Sequence, residues 1–251
     1  MAGISEIADG IFRIVIFSSK FNLSFSHFLI RDEQPMLFHA GLRGMFAELH
    51  EAVATVIDPA SLRFIGFSHF ESDECGALND WLAVAPAAVP LCGPVGAMTS
   101  VSDFATRPPH ILGDRDRLDT GRRRFRLIAT PHLPHGWDAG MLFDESERIL
   151  FCSDLLSQGG DCPPIGDGDA VGRATPNLLK STSGPFAHST AYSPRTGAML
   201  EELAQLEPAT LALMHGSSVS GNGAAILRDL SAAMEGILGA GTGDAGGPDR
   251  A

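Results

Sequence analysis

Between residues 64 and 76 a short apolar run, Phe64-Ile65-Gly66-Phe67, leads directly into Ser68-His69-Phe70-Glu71-Ser72-Asp73-Glu74-Cys75-Gly76. The apolar run reads as a buried strand. After the polar stretch, Ala77, Leu78, Trp81 and Leu82 recur at helical spacing. The polar cluster therefore occupies a strand-to-helix turn, beyond the carboxyl end of a core strand. His69, Glu71 and Asp73 fall at i, i+2 and i+4, so an extended segment points all three the same way. Four potential metal ligands stand within the six residues 69–74, a density that a solvated acidic loop does not require.

The rest of the chain bounds what such a turn can serve. At 251 residues the chain is long enough for a sizeable core, and we expect one domain over residues 1–238 followed by a disordered Gly/Asp-rich tail, 239–251. Its formal charge of −12 argues against nucleic acid or an anionic membrane as partner. No basic-then-apolar leader opens the sequence and no apolar run could span a bilayer, so the cytoplasm is the expected location. The four cysteines, Cys75, Cys92, Cys152 and Cys162, form no C-x-x-C pair. They read as small buried hydrophobes.

In order, strands are expected at Ile11–Phe17, Ser26–Ile30 and Pro35–Phe38, a meander closed by Gly41. A helix is expected from Met45 to Ile57, then the Phe64–Phe67 strand and a short strand at Val89–Leu91. Residues 99–123 read as small strands and turns. The second half repeats the scheme. Arg124–Thr130 alternates as a half-buried strand and ends in the histidine-rich loop Pro131-His132-Leu133-Pro134-His135-Gly136-Trp137-Asp138. A strand pair, 140–143 and 148–153, ends at Asp154. Residues 157–175 read as a long loop. Helices are expected at Pro194–Leu206, behind Ser193, and at Gly223–Leu238, with the strand Thr210–Met214 between them running into His215-Gly216.

Polar residues thus gather at one kind of position, the end of a strand: His69, Glu71, Asp73, Glu74, His135, Asp154 and His215. Strand carboxyl ends are where ligands collect in packed α/β structures, and coincidence across four strands is a much weaker explanation than a shared site.

With H-x-E-x-D, then T-P…H-x-x-D, then S-D at a strand end and then H-G, the chain resembles the metallo-β-lactamase superfamily, and within it the flavodiiron proteins and stand-alone oxygen-binding diiron proteins. The resemblance covers about residues 10 to 235. It implies an α/β (α+β) fold, an αββα sandwich with a dinuclear site at the sheet ends. Carried over by position, one metal takes His69, Glu71 and His135, the other takes Asp73 and His215, and Asp154 bridges them. Asp138 is expected to orient a ligand and His132 to line the pocket. Two residues depart from the pattern. Glu74 stands where the superfamily usually has histidine, and His39, in Leu37-Phe38-His39-Ala40-Gly41, stands where the meander usually ends in Asp. Glu74 is counted here among the seven expected ligands, with a first-turn residue that touches no metal as the competing role.

Glu71 in place of a second histidine makes the shell rich in hard oxygen donors, which suit iron or manganese better than zinc. Counted together, four carboxylates balance two divalent ions. The expected function is a non-haem diiron protein that binds or reduces O2 or NO. A hydrolytic dizinc site acting on an ester or thioester and an oxygen sensor without turnover are the alternatives. No phosphate-binding glycine loop or flavin domain is evident in this chain, so a separate electron-donor protein is the expected partner. A homodimer is an assembly such a chain could form.

Overall fold

The computed structural model describes residues 2–166, 168–190 and 192–239. The first sheet contains β1 (Gly3–Ala8), β2 (Ile11–Ser18), β3 (Leu23–Ile30), β4 (Met36–Phe38), β5 (Phe64–Gly66), β6 (Val89–Cys92) and β7 (His110–Ile111), in that spatial order. Its first four strands pair antiparallel through short turns. From β4 onward the pairing is parallel, because helices now fill the connections. These are α1 (Phe46–Ala54), then α2 (Ser72–Cys75) and α3 (Leu78–Val84), then a helical run made of α4 (Pro94–Gly96), a π-turn and α5 (Ser102–Phe104).

The second sheet contains β8 (Arg117–Asp119), β9 (Arg124–Ala129), β10 (Gly140–Asp144), β11 (Ile149–Phe151), β12 (Thr210–Ala212) and β13 (Val219–Ser220), ordered β13-β12-β11-β10-β9-β8. Only β11 and β12 run parallel. The chain between them carries α6 (Ala170–Lys180) and α7 (Thr196–Ala204), and α8 (Gly223–Leu238) closes the layer.

Three apolar clusters define the layers. Phe28, Phe38, Phe125 and Phe151 pack between the sheets, with the Phe28 and Phe38 ring centroids 5.2 and 5.4 Å from that of Phe151. Leu49, Val53, Leu78 and Trp81 seat the first helices on the outer face of the first sheet. Leu200, Leu203, Leu227 and Met234 do the same on the second. The result is an αββα sandwich, as expected. Strands buried on both faces explain why β3 alternates so weakly in sequence.

Some local expectations need correction. Residues 99–104, at the start of the stretch read as small strands and turns, are helical, in a run started by Pro94 at a first helical position. The loop expected at 157–175 gives way to α6 at Ala170, where Asp169 accepts a hydrogen bond from the Gly172 amide. Pro176 inside that helix hid it from a propensity reading. The edge strand β1 was not anticipated, and the helix expected at 45–57 spans only Phe46–Ala54. Residues 240–251 of the expected tail lie outside the described residues.

The meander ends as its glycine suggests. Gly41 adopts φ +84°, and a Cβ there would lie 2.8 Å from Cε1 of His27. His27 cannot retreat. It is fully buried, its Nδ1 lies 3.0 Å from the His39 carbonyl, and burial above all pushes its pKa down to about 3, so it stays neutral. Gly41→Ala combines backbone strain with a clash in a closed core, and is expected to cost about 2–3 kcal/mol in a chemical denaturation experiment. A change below about 0.5 kcal/mol would show that the meander end relaxes freely.

Candidate metal centre

The extended stretch after β5 continues only as far as Glu71 (φ −132°, ψ 154°), where α2 begins. His69 and Glu71 therefore face one way, and Asp73, in the first helical turn, faces a neighbouring spot. The second sheet supplies the rest. The loop after β9 is braced by the His132 amide on the Gly136 carbonyl and by Thr130 Oγ1 on the Leu133 carbonyl, and it presents His135. Asp154 follows β11, and His215 follows the extended Leu213-Met214 beyond β12.

These side chains form two groups. In the first, His69 Nε2 lies 2.9 Å from Glu71 Oε2 and 3.0 Å from His135 Nε2, and His135 Nε2 is 2.8 Å from Glu71 Oε2. Asp154 Oδ2 completes this group at 3.3 Å from His135 Nε2. In the second, His215 Nε2 lies 3.2 Å from Asp73 Oδ2 and 3.1 Å from Asp154 Oδ1. Within each group the candidate ligand atoms all lie within 4.8 Å of one another. Asp154 belongs to both and turns a different oxygen to each.

The donor set fits cations. Two imidazole nitrogens 3.0 Å apart with a carboxylate oxygen against both make a compact donor set that suits positive charge. The buried oxygens Asp73 Oδ1 and Asp154 Oδ1 receive no hydrogen bond among the described residues. His215 donates Nδ1–H to the Ser24 carbonyl at 2.9 Å, which turns Nε2 toward the two aspartates.

Glu74 is placed differently from the expectation. It joins neither group. Its side chain is fully buried and points back at the turn. Oε2 accepts from the amides of Ser68 (2.6 Å) and His69 (3.0 Å), while Oε1 accepts from Ser153 Oγ (2.7 Å) and lies 3.3 Å from His69 Nδ1. Asp73 and Glu74 are consecutive in the first turn of α2, and the longer Glu74 side chain folds back to these donors while Asp73 turns to His215. Asp138 also works through the main chain: its Oδ2 accepts from the Phe70 amide at 2.8 Å, between His69 and Glu71. His132 lines a cavity of about 310 Å³ over His69, Glu71 and His135, with the exposed Trp137 at its mouth. Cys75 and Cys152 are buried, burial pushes both thiols up, and neither belongs to a ligand group.

Sequence reading missed Arg13. This fully buried guanidinium of β2 donates from Nε to Ser26 Oγ and from Nη2 to the Gly216 carbonyl, holding the loop of His215 against the first sheet. An arginine inside an apolar strand run was its only signal. Ser153 was likewise visible only as the neighbour of Asp154.

Electrostatically the site is a cage for positive charge. Burial alone would lower the His69 pKa, but the Glu74 charge, hydrogen bonds to Glu71 and Glu74, and the Asp154 charge raise it to about 12. Burial is likewise overcome at His215, raised to about 10 by Asp154 and Asp73. Hydrogen bonds from His135 and His69 hold Glu71 well below the usual carboxylate range. Glu74 is held low against its burial by His69 and His39.

The αββα fold, with its polar residues gathered at strand ends, is that of a metallo-β-lactamase-type protein. The family description "ODP family beta lactamase" matches residues 23–163, more than half of the chain, and the chain belongs to that family. Among curated relatives, a flavo-diiron protein of Clostridium acetobutylicum is 24% identical over 57% of this chain and 36% of its own length. The anaerobic nitric oxide reductase flavorubredoxin of Klebsiella pneumoniae is 27% identical over 54% and 28%. The aligned region is thus well under half of these relatives. Rubredoxin oxygen:oxidoreductase from Desulfovibrio gigas superposes with a TM-score of 0.78 at 20% identity, covering 91% of this chain and 60% of that one. The flavodiiron core from Synechocystis gives 0.75 at 20% identity over 97% and 62%. No helix among the described residues is long and apolar enough to cross a membrane.

The raised imidazoles set a pH dependence. In metal-free protein, His69 and His215 contribute stability that is fully present below their ordinary 6.5 and lost as pH rises through about 10 and then about 12. Glu71 contributes stability present above its ordinary 4.5 and lost as pH falls below it. Metal ions must displace the imidazole protons, so uptake is expected to release protons at neutral pH. Affinity is expected to rise about tenfold per pH unit for each proton displaced, between about pH 6 and 9. Calorimetric titrations in buffers of different ionisation enthalpy measure the release, and an affinity independent of pH over this range would contradict the cage.

Proposed function

We propose that the chain is a non-haem diiron protein that binds or reduces O2 or NO with electrons from a separate donor. The observation that carries this reading is Asp154, whose two oxygens face two adjacent groups rich in carboxylate and imidazole. His69, Glu71 and His135 would hold one iron, Asp73 and His215 the other, and Asp154 would bridge them. Glu71, Asp73 and Asp154 bring three negative charges to two divalent ions, and the buried Glu74 behind His69 supplies a fourth without ligating. Charge is then compensated at the divalent level, and hard oxygen donors favour iron over zinc.

Bound iron would supply the electron transfers. The residues do the rest. Ser24 and the Glu74–Ser153 pair orient His215 and His69 through Nδ1. Asp138 fixes the main chain between His69 and Glu71. His132 and Trp137 border the cavity through which a small gas can reach His135, the more open of the three histidines at 32% side-chain exposure against 3% for His69 and 6% for His215. The relatives' names speak for oxygen or nitric oxide chemistry in proteins much longer than the matched region, and reduction of either gas needs electrons from a donor.

Metal analysis of protein grown with iron is expected to find about two irons per chain. Asp154→Ala is expected to lose most of both, because each group loses a ligand. Iron-loaded protein with an added reductase and its reductant is expected to consume O2 or NO over many turnovers, and without a donor to react once and stop. Tight binding of zinc alone under iron-rich growth, with ester hydrolysis, would establish the hydrolytic alternative instead.

A further inference from the structure

The two residues that depart from the superfamily pattern touch each other. His39 Nε2 lies 3.7 Å from Glu74 Oε1, and neither side chain has any exposed surface. His39 ends the meander at φ +69°, with Nδ1 3.3 Å from the Ser26 carbonyl and Nε2 3.2 Å from Ser68 Oγ. A carbonyl can only accept, so Nδ1 carries the hydrogen. Ser68, His39 and Ser153 therefore converge with Glu74 on one closed spot behind His69.

One buried acid fits this spot, and only one. Glu74 already takes two amide N–H groups, the Ser153 hydroxyl and the flank of two imidazoles. A carboxylate at 39 as well would set a second buried acid against Glu74, whose nearest imidazole, His69, already faces Glu71 and Asp154. An imidazole at 74 with His39 retained would leave the Ser68 and His69 amides without their acceptor. Changing both positions together restores one acid and one imidazole. The two departures are thus linked through space.

We propose that His39 and Glu74 are a reciprocal exchange of acid and imidazole across one buried contact, which makes Glu74 the positioning carboxylate for His69 and leaves the Asp73–Asp154–His215 group one ligand short. The second half of this statement rests on the dinuclear reading of the site. The groups are unequal, four residues against three. An ion on the smaller group is held more weakly and keeps more positions open for an incoming small molecule.

Four proteins test the exchange: wild type, His39→Asp, Glu74→His and the double variant. Melting of the metal-free proteins reads the contact without reference to any metal. Each single variant is expected to melt about 5–10 °C lower and the double within about 3 °C of wild type. Simple additivity of the two losses would overturn the exchange. Glu74→Gln, which keeps the side chain's shape, covers the case in which a single variant does not fold. It is expected to keep both iron ions, whereas Asp73→Asn loses the one held by the smaller group. Selective loss of one iron from Glu74→Gln would make Glu74 a ligand and sink the proposal. In the iron-loaded double variant, the EPR spectrum is expected to show one more coupled imidazole nitrogen, with the weaker iron bound about tenfold tighter; an unchanged nitrogen count refutes the missing ligand. Wild-type protein that never takes a second iron would remove the dinuclear reading, while the metal-free melting cycle would still decide the exchange.

Discussion

Glu74 is a buried carboxylate on which three strand ends converge. Its oxygens take the amides that follow β5 and the serine that follows β11, and His39 at the end of β4 closes the third side. A charge with no solvent contact is tolerable only with nearly every lone pair satisfied, so these ends have little freedom to drift apart. His69 and Asp154 are carried by two of them. Hydrogen bonds that involve no metal thus tie together the strand ends that carry these candidate ligands.

The sandwich explains why such a site can exist at all. Parallel strands with helical crossovers leave their carboxyl ends at one rim, and the two sheets meet at that rim with loops free of regular pairing. Short loops such as 131–136 hold their shape through their own hydrogen bonds, so a histidine placed there is as well oriented as one on a strand. The aromatic packing between the sheets, centred on Phe151, fixes how they face each other.

Much of this was legible in the sequence, for reasons specific to each residue. His69, Glu71 and Asp73 betray themselves by short-range spacing after an apolar strand, and His135, Asp154 and His215 by ending strands that periodicity marks well. The direction of Glu74 was not legible, because it depends on the Ser68 and His69 amides and on Ser153, a residue 79 positions away that only the tertiary fold brings near. Arg13 could not be read as a support of His215, since its partner Gly216 lies 203 positions further along the chain. The helix at Ala170–Lys180 was concealed by its own proline. Local pattern shows which groups are available, and packing decides which way each one turns.

Each ligand group draws on both sheets: His69 and Glu71 meet His135 and Asp154, and Asp73 meets Asp154 and His215. An ion in either group is then a cross-link between the two halves of the sandwich, closing a loop of many tens of residues in the unfolded chain. The candidate metal centre and the seam of the fold are one object. Arg13, which reaches from β2 to the His215 loop, ties the same two halves together by hydrogen bonds that involve no metal.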